Sequence, residues 1–415
     1  MAVGADRRHI GALDGLRALA ALAVVATHVG FATGFVRADL AGAVVGRLDV
    51  GVPLFFALSG FLLVRPWLAV PLGVGTSSPS LGTYAVRRLA RIAPAYWIVL
   101  AVVLLISGLG WIRDQFATDV TVGPGSVATH LVVGQGLTEH YFSNFAQTWS
   151  LTTEVVFYAV LPVVGWLLVR STRHLGDAAA RYRRVRSCCI GAVVLGIATA
   201  AYATTDLPLA SPQLARSVIG HAGWFAVGIW VAAHEMTPAR PDRRFSLRPG
   251  DGFALAGVCL LVAASPFGGP LTLEDPTAVQ AVVREAMFTA IAALTLTAAV
   301  RGRATESPTV RFLESAPMRW LGDRSYAIFL WHLVVLFGIM TVARVDLFTG
   351  SFVAIGLATV IISIGLADLS WRLVESPVLA VAHRRTSRAR SSRPQGRGER
   401  ADQEDREDRR DQAHP

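Results

Sequence analysis

The sequence is dominated by apolar stretches of close to 20 residues, about the length that an α-helix needs to cross the hydrocarbon of a bilayer. They lie at residues 12–34, 47–70, 92–110, 149–169, 187–205, 216–234, 251–267, 284–300, 320–342 and 351–372. Backbone polar groups must be satisfied internally within lipid, so repeated stretches of this length predict spanning helices. We therefore expect an all-α fold, a polytopic integral membrane helical bundle of about ten transmembrane helices.

The composition favours a membrane protein over a soluble one. Hydrophobic residues make up 53% of the 415 residues and charged residues 16%, whereas soluble domains average about 25% charged residues. Mean hydropathy is +0.48. A further apolar segment, Val127 to Leu137, is too short to span, and it predicts a re-entrant or surface helix in an outer loop. The three cysteines show neither metal-site nor disulfide spacing, so no metal is predicted.

Arginine supplies all 39 basic residues, and its placement predicts the orientation of the helices. Both ends of the chain and the loops after even-numbered stretches are rich in Arg, whereas the alternate loops hold little. The positive-inside rule makes the rich side cytoplasmic, so both termini are predicted to be cytoplasmic in a multi-pass protein of the plasma membrane. The net charge of +10 then reflects orientation, and no nucleic acid is expected as a partner.

Two parts of the chain differ in character. Residues 1–377 hold every apolar stretch and are predicted to form one transmembrane domain. Residues 378–415 are rich in Arg, Asp and Glu and poor in apolar residues. That composition predicts a disordered, charged cytoplasmic tail.

The first apolar stretch contains Arg17 and His28, with Asp14 close by. These polar residues interrupt the stretch, so it is predicted to be a retained helix rather than a signal peptide. Eleven helical residues turn the chain about 20° past three full turns, which places Arg17 and His28 on one face about 16 Å apart. A shared face predicts a lined cavity. The alternatives are that Arg17 reaches the membrane surface and that His28 is hydrogen-bonded in the core.

Glu154 lies in the segment TWSLTTEVVFY, about five residues inside the fourth stretch. That stretch runs inward, so Glu154 and His28 reach similar depths from opposite chain directions. A carboxylate beside an imidazole orients the ring as a general base requires, and we expect Glu154 to do this for His28. The alternative is a structural role in which Glu154 caps Ser150 or Thr152.

Arg88 and Arg91 stand at positions i and i+3 just before the third stretch, and Pro94 suits a helix start there. Arginine pairs hold phosphate groups in bidentate geometry, so these two residues predict a phosphate site. The alternative is plain orientation charge. In the ninth stretch, His332 lies near mid-membrane with Tyr326 and Trp331 close in sequence. That set either lines an apolar pocket or packs the core.

These segments, in this order, resemble the acyltransferase-3 family of integral membrane acyltransferases over about residues 9–377. The matching segments are LDGLRALAALAVVATH with Arg17 and His28, GVPLFFALSGFLL, RRLARIAPAYW with Arg88 and Arg91, SLTTEVVFY with Glu154, SYAIFLWH, and WRLVESP. One position departs from the family pattern: Pro53 stands where many members carry Asp. Neither a role carried by that carboxylate nor an acceptor class tied to it is transferred to this chain. The chain resembles the stand-alone form of the family.

The resemblance implies O-acyl transfer, usually of acetyl, from acyl-CoA to a hydroxyl of a glycan, a glycolipid or a glycosylated small molecule. Acyl-CoA is then a co-substrate rather than a bound cofactor, and the partners are acyl-CoA, a carbohydrate or glycosylated acceptor, and the lipid bilayer. His28, Glu154 and Arg17 are the predicted catalytic residues. Arg88, Arg91, Tyr326 and His332 are the predicted donor-binding residues.

Two questions stay open at this stage. His28 acts either as a general base on the acceptor or as a nucleophile that forms an acyl-histidine intermediate. A transporter or flippase-like protein that exports a glycan without chemistry is the alternative function.

Overall fold

A computed structural model describes residues 10–391, except for residues 77, 113–121, 139–140, 238–246, 272–273 and 303–306. Within these residues all regular secondary structure is helical and no strand is present. The predicted all-α fold is confirmed. Residues 1–9 and 392–415 lie outside the described residues, so the cytoplasmic position of the two termini stays a prediction.

The α-helices follow one another in chain order with short connections. They are α1 Gly11–Ala32, α2 Leu40–Gly46, α3 Gly51–Leu68, α4 Leu81–Gly108, α5 Pro124–Leu131, α6 Trp149–Thr172, α7 Ala178–Tyr202, α8 Pro212–Arg216, α9 Ala222–Met236, α10 Pro249–Ala264, α11 Ala278–Arg301, α12 Pro308–Leu313, α13 Ala316–Val342, α14 Phe352–Ser370 and α15 Ser376–Ser391.

Among the described residues, 8 helices are long and apolar enough to cross a membrane. The predicted spans at 216–234 and 251–267 correspond to α9 and α10, which have only 15 and 16 residues. At 1.5 Å per residue these helices are about 23 Å long, shorter than the roughly 30 Å of bilayer hydrocarbon. The structure therefore supports a polytopic bundle, while the count of ten spans stays a prediction.

Large apolar side chains are exposed on the outward faces of several helices. Val194 on α7, Val258 on α10 and Ile361 on α14 are 60%, 56% and 67% exposed. Exposing apolar side chains to water over the whole surface of a bundle is unfavourable, whereas contact with lipid acyl chains is favourable. This surface fits a protein that sits in a bilayer.

Helices α3 and α9 cross closely at the centre of the molecule. A Cβ atom at Gly60 of α3 would overlap the backbone carbonyl of Phe225, and one at Gly228 of α9 would overlap that of Ala57. Small residues at a crossing let two backbones approach, as is common between membrane helices. Phe56 and Phe225 stack beside this crossing, with ring centroids 4.5 Å apart.

The buried core has two parts. One is formed mainly by α3, α9 and α11, and the other mainly by α1, α4 and α13. Helix α1 packs against both α13 and α3, so it joins the two parts.

Two predicted boundaries differ in the structure. Helix α4 begins at Leu81, so Arg88 and Arg91 lie inside the helix and Pro94 is an interior residue rather than its start. At the other end, α14 continues through a π-helical turn at Trp371–Glu375 into α15. The first part of the predicted disordered tail is therefore helical as far as Ser391. The predicted short outer segment is partly helical, with α5 followed by a 3₁₀ turn at Gln135–Leu137.

Candidate active site

A cavity of about 320 Å³ lies between the two parts of the core. Its volume is at the lower end of the roughly 300–1,000 Å³ typical of small-molecule sites. Five of the seven predicted site residues line it, namely Arg17, Arg88, Arg91, Glu154 and Tyr326. The other lining residues include Val52, Phe55, Phe56, Ser59, Arg87, Ile92, Ser150, Leu151, Tyr158, Ser325, Phe329, Leu379 and Ala382.

Four arginines make the cavity strongly basic. Arg87, Arg88 and Arg91 come from one face of α4, and Arg17 comes from α1. The Nε atom of Arg88 is buried and has no hydrogen-bond partner among the described residues. The i, i+3 spacing of Arg88 and Arg91 thus places both residues on the cavity wall, as the sequence predicts.

The C-terminal helix covers part of this arginine cluster. Arg91 lies 4.0 Å from the buried carboxylate of Glu375. Its guanidinium carbon stands 5.7 Å from the ring centroid of Trp371. Arg87 donates from Nε and Nη2 to the hydroxyl of Thr386 over 3.3 and 3.2 Å. Glu154 is the one carboxylate among the described lining residues, Glu375 lies beside Arg91, and the charge of Asp14 acts on Arg17. Four guanidinium groups outnumber these carboxylates, so the cavity has the charge of an anion site.

Glu154 is held by two hydroxyl groups. Ser59 Oγ and Tyr158 OH donate to its Oε1 atom over 2.5 and 2.6 Å. Ser150 and Thr152 donate instead to backbone carbonyls, so Glu154 does not serve as their cap. The structure places this carboxylate on the cavity wall as an ordered acceptor.

The predicted contact between Glu154 and His28 is wrong, because no hydrogen bond among the described residues joins them. His28 lies instead beside His332 of α13, with 3.2 Å between His28 Nδ1 and His332 Nε2. Helix α1 packs directly on α13, whereas α6, which carries Glu154, contacts α3. The similar depth predicted for the two residues therefore did not imply a contact between their side chains.

The hydrogen bonds of the histidine pair determine a consistent set of tautomers. His28 Nδ1 is 2.8 Å from the carbonyl oxygen of Val24, and His332 Nδ1 is 2.7 Å from that of Phe329. A carbonyl oxygen only accepts, so each Nδ1 carries a hydrogen. His28 Nδ1–H is then shared between the carbonyl of Val24 and His332 Nε2, which accepts, and His28 Nε2 keeps a free lone pair. The half-buried His28 is thus arranged as a base.

Neither histidine is among the residues that line the cavity. Phe329 connects the two places, because it lines the cavity and its ring centroid lies 5.9 Å from that of His332. Arg17 therefore lines the cavity as predicted, whereas His28 does not. His332, predicted to contact the donor, is fully buried beside His28 instead.

Tyr326 lies where the sequence places it, on the cavity wall. Its hydroxyl donates to the carbonyl oxygen of Ile92 on α4 over 3.1 Å. This bond joins α13 to the helix that carries the arginines. Tyr326 therefore helps to fix the position of the arginine cluster relative to α13.

Sequence reasoning missed Ser59, Tyr158 and Arg87. Tyr158 follows Glu154 by four residues, which places both on one helix face, so this spacing was a usable signal. Ser59 is a lone hydroxyl in an otherwise apolar segment. Its contact with Glu154 depends on how α3 and α6 pack, which the sequence does not reveal. Among the described residues, no group of three or more His, Cys, Asp or Glu could hold a metal ion.

Comparison with known proteins identifies relatives over most of the chain. It is 23% identical over 391 residues to the peptidoglycan O-acetyltransferase OatA of Listeria monocytogenes, covering 90% of this chain and 56% of that protein. It is 26% identical over 403 residues to the putative peptidoglycan O-acetyltransferase YrhL of Bacillus subtilis, covering 92% of this chain and 56% of that protein. The putative membrane-bound transacylase BcsY of Komagataeibacter xylinus is 25% identical over 333 residues, with 77% and 71% covered.

The chain spans little more than half the length of the first two relatives. No solved structure matches it. Residues 10–368 match the acyltransferase domain of one family, and that range contains Arg17, His28, Arg88, Arg91 and Glu154. The chain therefore belongs to the acyltransferase-3 family.

Proposed function

We propose that this protein is a membrane O-acyltransferase that moves an acetyl group from acetyl-CoA to a hydroxyl of a peptidoglycan-type glycan. The observation that carries the proposal is the basic cavity, in which four arginines and Glu154 meet inside a bundle of apolar helices. The names of the two peptidoglycan O-acetyltransferase relatives support the choice of acetyl and of a glycan acceptor.

The donor is the first half of the proposal. Guanidinium groups bind phosphate through paired N–H donors, and acetyl-CoA carries phosphates at one end and its thioester at the other. Arg88 and Arg91 hold the phosphates from the side of the bundle that the arginine distribution assigns to the cytoplasm. The pantetheine arm then runs past Arg17 toward Phe329. An extended arm is long enough in principle to cover the roughly 16 Å between Arg17 and His28.

The chemical step uses His28. Its Nε2 atom takes the proton from the acceptor hydroxyl while that oxygen attacks the thioester carbonyl carbon. The C–S bond breaks, and the CoA sulfur leaves with the proton that His28 held. His332 keeps the ring of His28 oriented through the hydrogen bond at Nδ1, a role that a carboxylate often fills.

Glu154 acts on the donor side of the reaction rather than on His28. Its carboxylate is ordered by Ser59 and Tyr158, and its charge acts on Arg17. In the proposed reaction this pair of opposite charges positions the arm of the donor in the cavity. The competing route, in which His28 Nε2 attacks the thioester and forms an acyl-histidine, uses the same residues in the same places.

The test is acetyl transfer by the purified full-length chain in lipid nanodiscs. Radiolabelled acetyl-CoA and soluble, de-O-acetylated glycan strands are supplied, and label in the glycan is measured. The wild type is expected to label the strands, and His28→Ala to lower the rate by at least about 100-fold. His174→Gln, at an exposed position outside the cavity, is the matched control and should retain full activity.

Two results would contradict the proposal. Unchanged labelling by His28→Ala would remove His28 from the chemistry. Glycan export by vesicles without CoA release would indicate transport without chemistry.

A further inference from the structure

A second group of buried polar side chains lies outside the cavity. It consists of His221 and Trp224 at the start of α9 and Glu285 and Thr289 on α11, and we call it the His221 cluster. These four residues are 5–8% exposed. His221 Nδ1 and Nε2, Trp224 Nε1, Glu285 Oε1 and Thr289 Oγ1 all lack hydrogen-bond partners among the described residues.

So many unpartnered polar atoms in one place are unusual. Buried polar groups in folded proteins almost always have partners, and each one that lacks a partner costs about 1–3 kcal/mol. Thr295 on the same helix differs from Thr289, because its hydroxyl donates to the carbonyl of Ile291. The His221 cluster therefore has the composition of a site that another molecule completes.

The spacing within the cluster suits one added oxygen atom. His221 Nδ1 and Glu285 Oε2 are 3.9 Å apart, too far for a direct hydrogen bond. An oxygen at about 2.8 Å from both atoms fits between them. The unpartnered atoms include both donors and acceptors, and a hydroxyl group both donates and accepts. The cluster thus matches hydroxyl groups better than it matches a phosphate or a metal ion.

Aromatic rings surround this spot and connect it to the cavity. His221 stacks on Trp224 with ring centroids 3.7 Å apart, and Trp149 and Phe56 lie 5.6 and 6.0 Å away. Phe56 also lines the cavity. Aromatic faces with a few polar groups are typical of sites for small organic ligands.

The cluster lies on the side of the bundle from which a glycan would come. The arginine distribution assigns the N-terminal ends of α6, α9 and α11 to the exterior. At or next to these ends lie Trp149, His221 and Ala278. Glu285 is seven residues into α11, about 10 Å below that end. A hydrogen bond also joins this region to α6, because Thr153 donates to the carbonyl of Arg216. Thr153 directly precedes Glu154 in α6, and Arg216 lies in the segment before His221.

We propose that the His221 cluster is the acceptor subsite, which receives a sugar hydroxyl between His221 and Glu285 and packs the sugar ring against Trp149 and Trp224. The proposal rests on the proposed function, because that function supplies the glycan. The arriving hydroxyl oxygen takes the place between His221 Nδ1 and Glu285 Oε2, which lie 3.9 Å apart in this structure. Phe56 then stands between the acceptor and the donor cavity.

Direct binding of a fluorescent glycan strand to the full-length chain in nanodiscs tests the subsite without requiring turnover. Both substitutions keep side-chain shape: Thr289→Val removes a hydroxyl, and Glu285→Gln replaces one carboxylate oxygen acceptor by an amide donor. Each is expected to raise the dissociation constant for the strand about two- to tenfold. Thr295→Val is the matched control, a buried threonine on the same helix with a satisfied hydroxyl, and it should bind as the wild type does.

Binding of acetyl-CoA, measured on the same samples, is expected to be the same in all variants. Wild-type affinity for the strand in both Thr289→Val and Glu285→Gln would overturn the subsite, as would a wild type that binds acetyl-CoA but no strand. Failure of the proposed function looks different, because strand binding would respond to these substitutions while no acetyl reached the strand.

Discussion

Glu154 and Glu285 are both carboxylates inside the bundle, but their surroundings differ. Glu154 accepts hydrogen bonds from Ser59 and Tyr158 at the wall of the basic cavity. Glu285 has one oxygen without any partner among the described residues and a histidine nitrogen 3.9 Å from the other. The first carboxylate is held in place by the protein itself, whereas the second is left incomplete. The difference separates a basic cavity whose carboxylate is already hydrogen-bonded from a region with unpartnered polar atoms.

Replacing Glu154 should have the largest effect within this comparison. Glu154→Gln removes one of the two carboxylate charges that act on Arg17, the other being Asp14, and weakens two hydrogen bonds to an ionised acceptor. Bonds to charged groups contribute about 1.5–3 kcal/mol, so the rate of acetyl transfer should fall by about 10- to 100-fold. Steady-state kinetics with varied acetyl-CoA measure it. Glu285→Gln should leave the KM for acetyl-CoA within about twofold of the wild-type value. If both substitutions changed the acetyl-CoA kinetics equally, the two carboxylates would not differ in the way described above.

The arginine wall should respond on the donor side alone. Arg91→Gln removes a guanidinium from the cavity, and we expect the KM for acetyl-CoA to rise about tenfold or more while the KM for glycan strands stays the same. The wild-type donor KM should also rise with ionic strength, and less steeply in the variant. Arg311→Gln, at an exposed arginine on α12, is the control. A change in the glycan KM with Arg91→Gln would contradict the separation of the two regions.

The histidine pair should show a smaller effect that depends on His28. His332→Phe removes one of the two acceptors of His28 Nδ1–H, the other being the carbonyl of Val24. The ring of His28 then loses its hydrogen bond to α13, so kcat should fall by about tenfold with both KM values within about twofold. In a His28→Ala background the same substitution should change nothing further, because it acts through His28.

His130→Phe is the matched control for that experiment. His130 is buried and its Nδ1 bonds the carbonyl of Ser126, but it lies in α5 outside the cavity. Burial lowers its pKa, so it remains neutral near pH 7. Equal losses from His332→Phe and His130→Phe would point to a general packing effect rather than to positioning of His28.

The sequence predicted the features that depend on one helix at a time. The apolar stretches predicted the helical bundle, and the i, i+3 spacing predicted that Arg88 and Arg91 share a face. The sequence also predicted a similar depth for His28 and Glu154, which stays a prediction. The direction in which a side chain points around the bundle was not, because it depends on which helices are neighbours. Packing of α1 on α13 therefore gave His28 a histidine partner rather than Glu154.

The same dependence on helix neighbours explains why the sequence did not predict the His221 cluster. His221 and Glu285 lie 64 residues apart in sequence, and no spacing rule joins them. Glu285 lies within an apolar stretch and was a visible signal, because ionisable residues in such stretches are costly. Its partner became visible only when α9 and α11 were placed side by side.

Stability should give the smallest but most direct contrast between the two regions. Tyr158→Phe and Thr289→Val each delete one hydroxyl and keep the shape of the side chain. Tyr158 donates to Glu154, so its loss should lower the free energy of unfolding by about 1.5–3 kcal/mol. Thr289 has an unpartnered hydroxyl, so its replacement should leave stability unchanged or raise it by about 1 kcal/mol. Thermal unfolding of both variants in nanodiscs, without ligands, measures the sign. A loss of stability in Thr289→Val would mean that its hydroxyl is already satisfied in the free protein, and the two regions would then be equally complete.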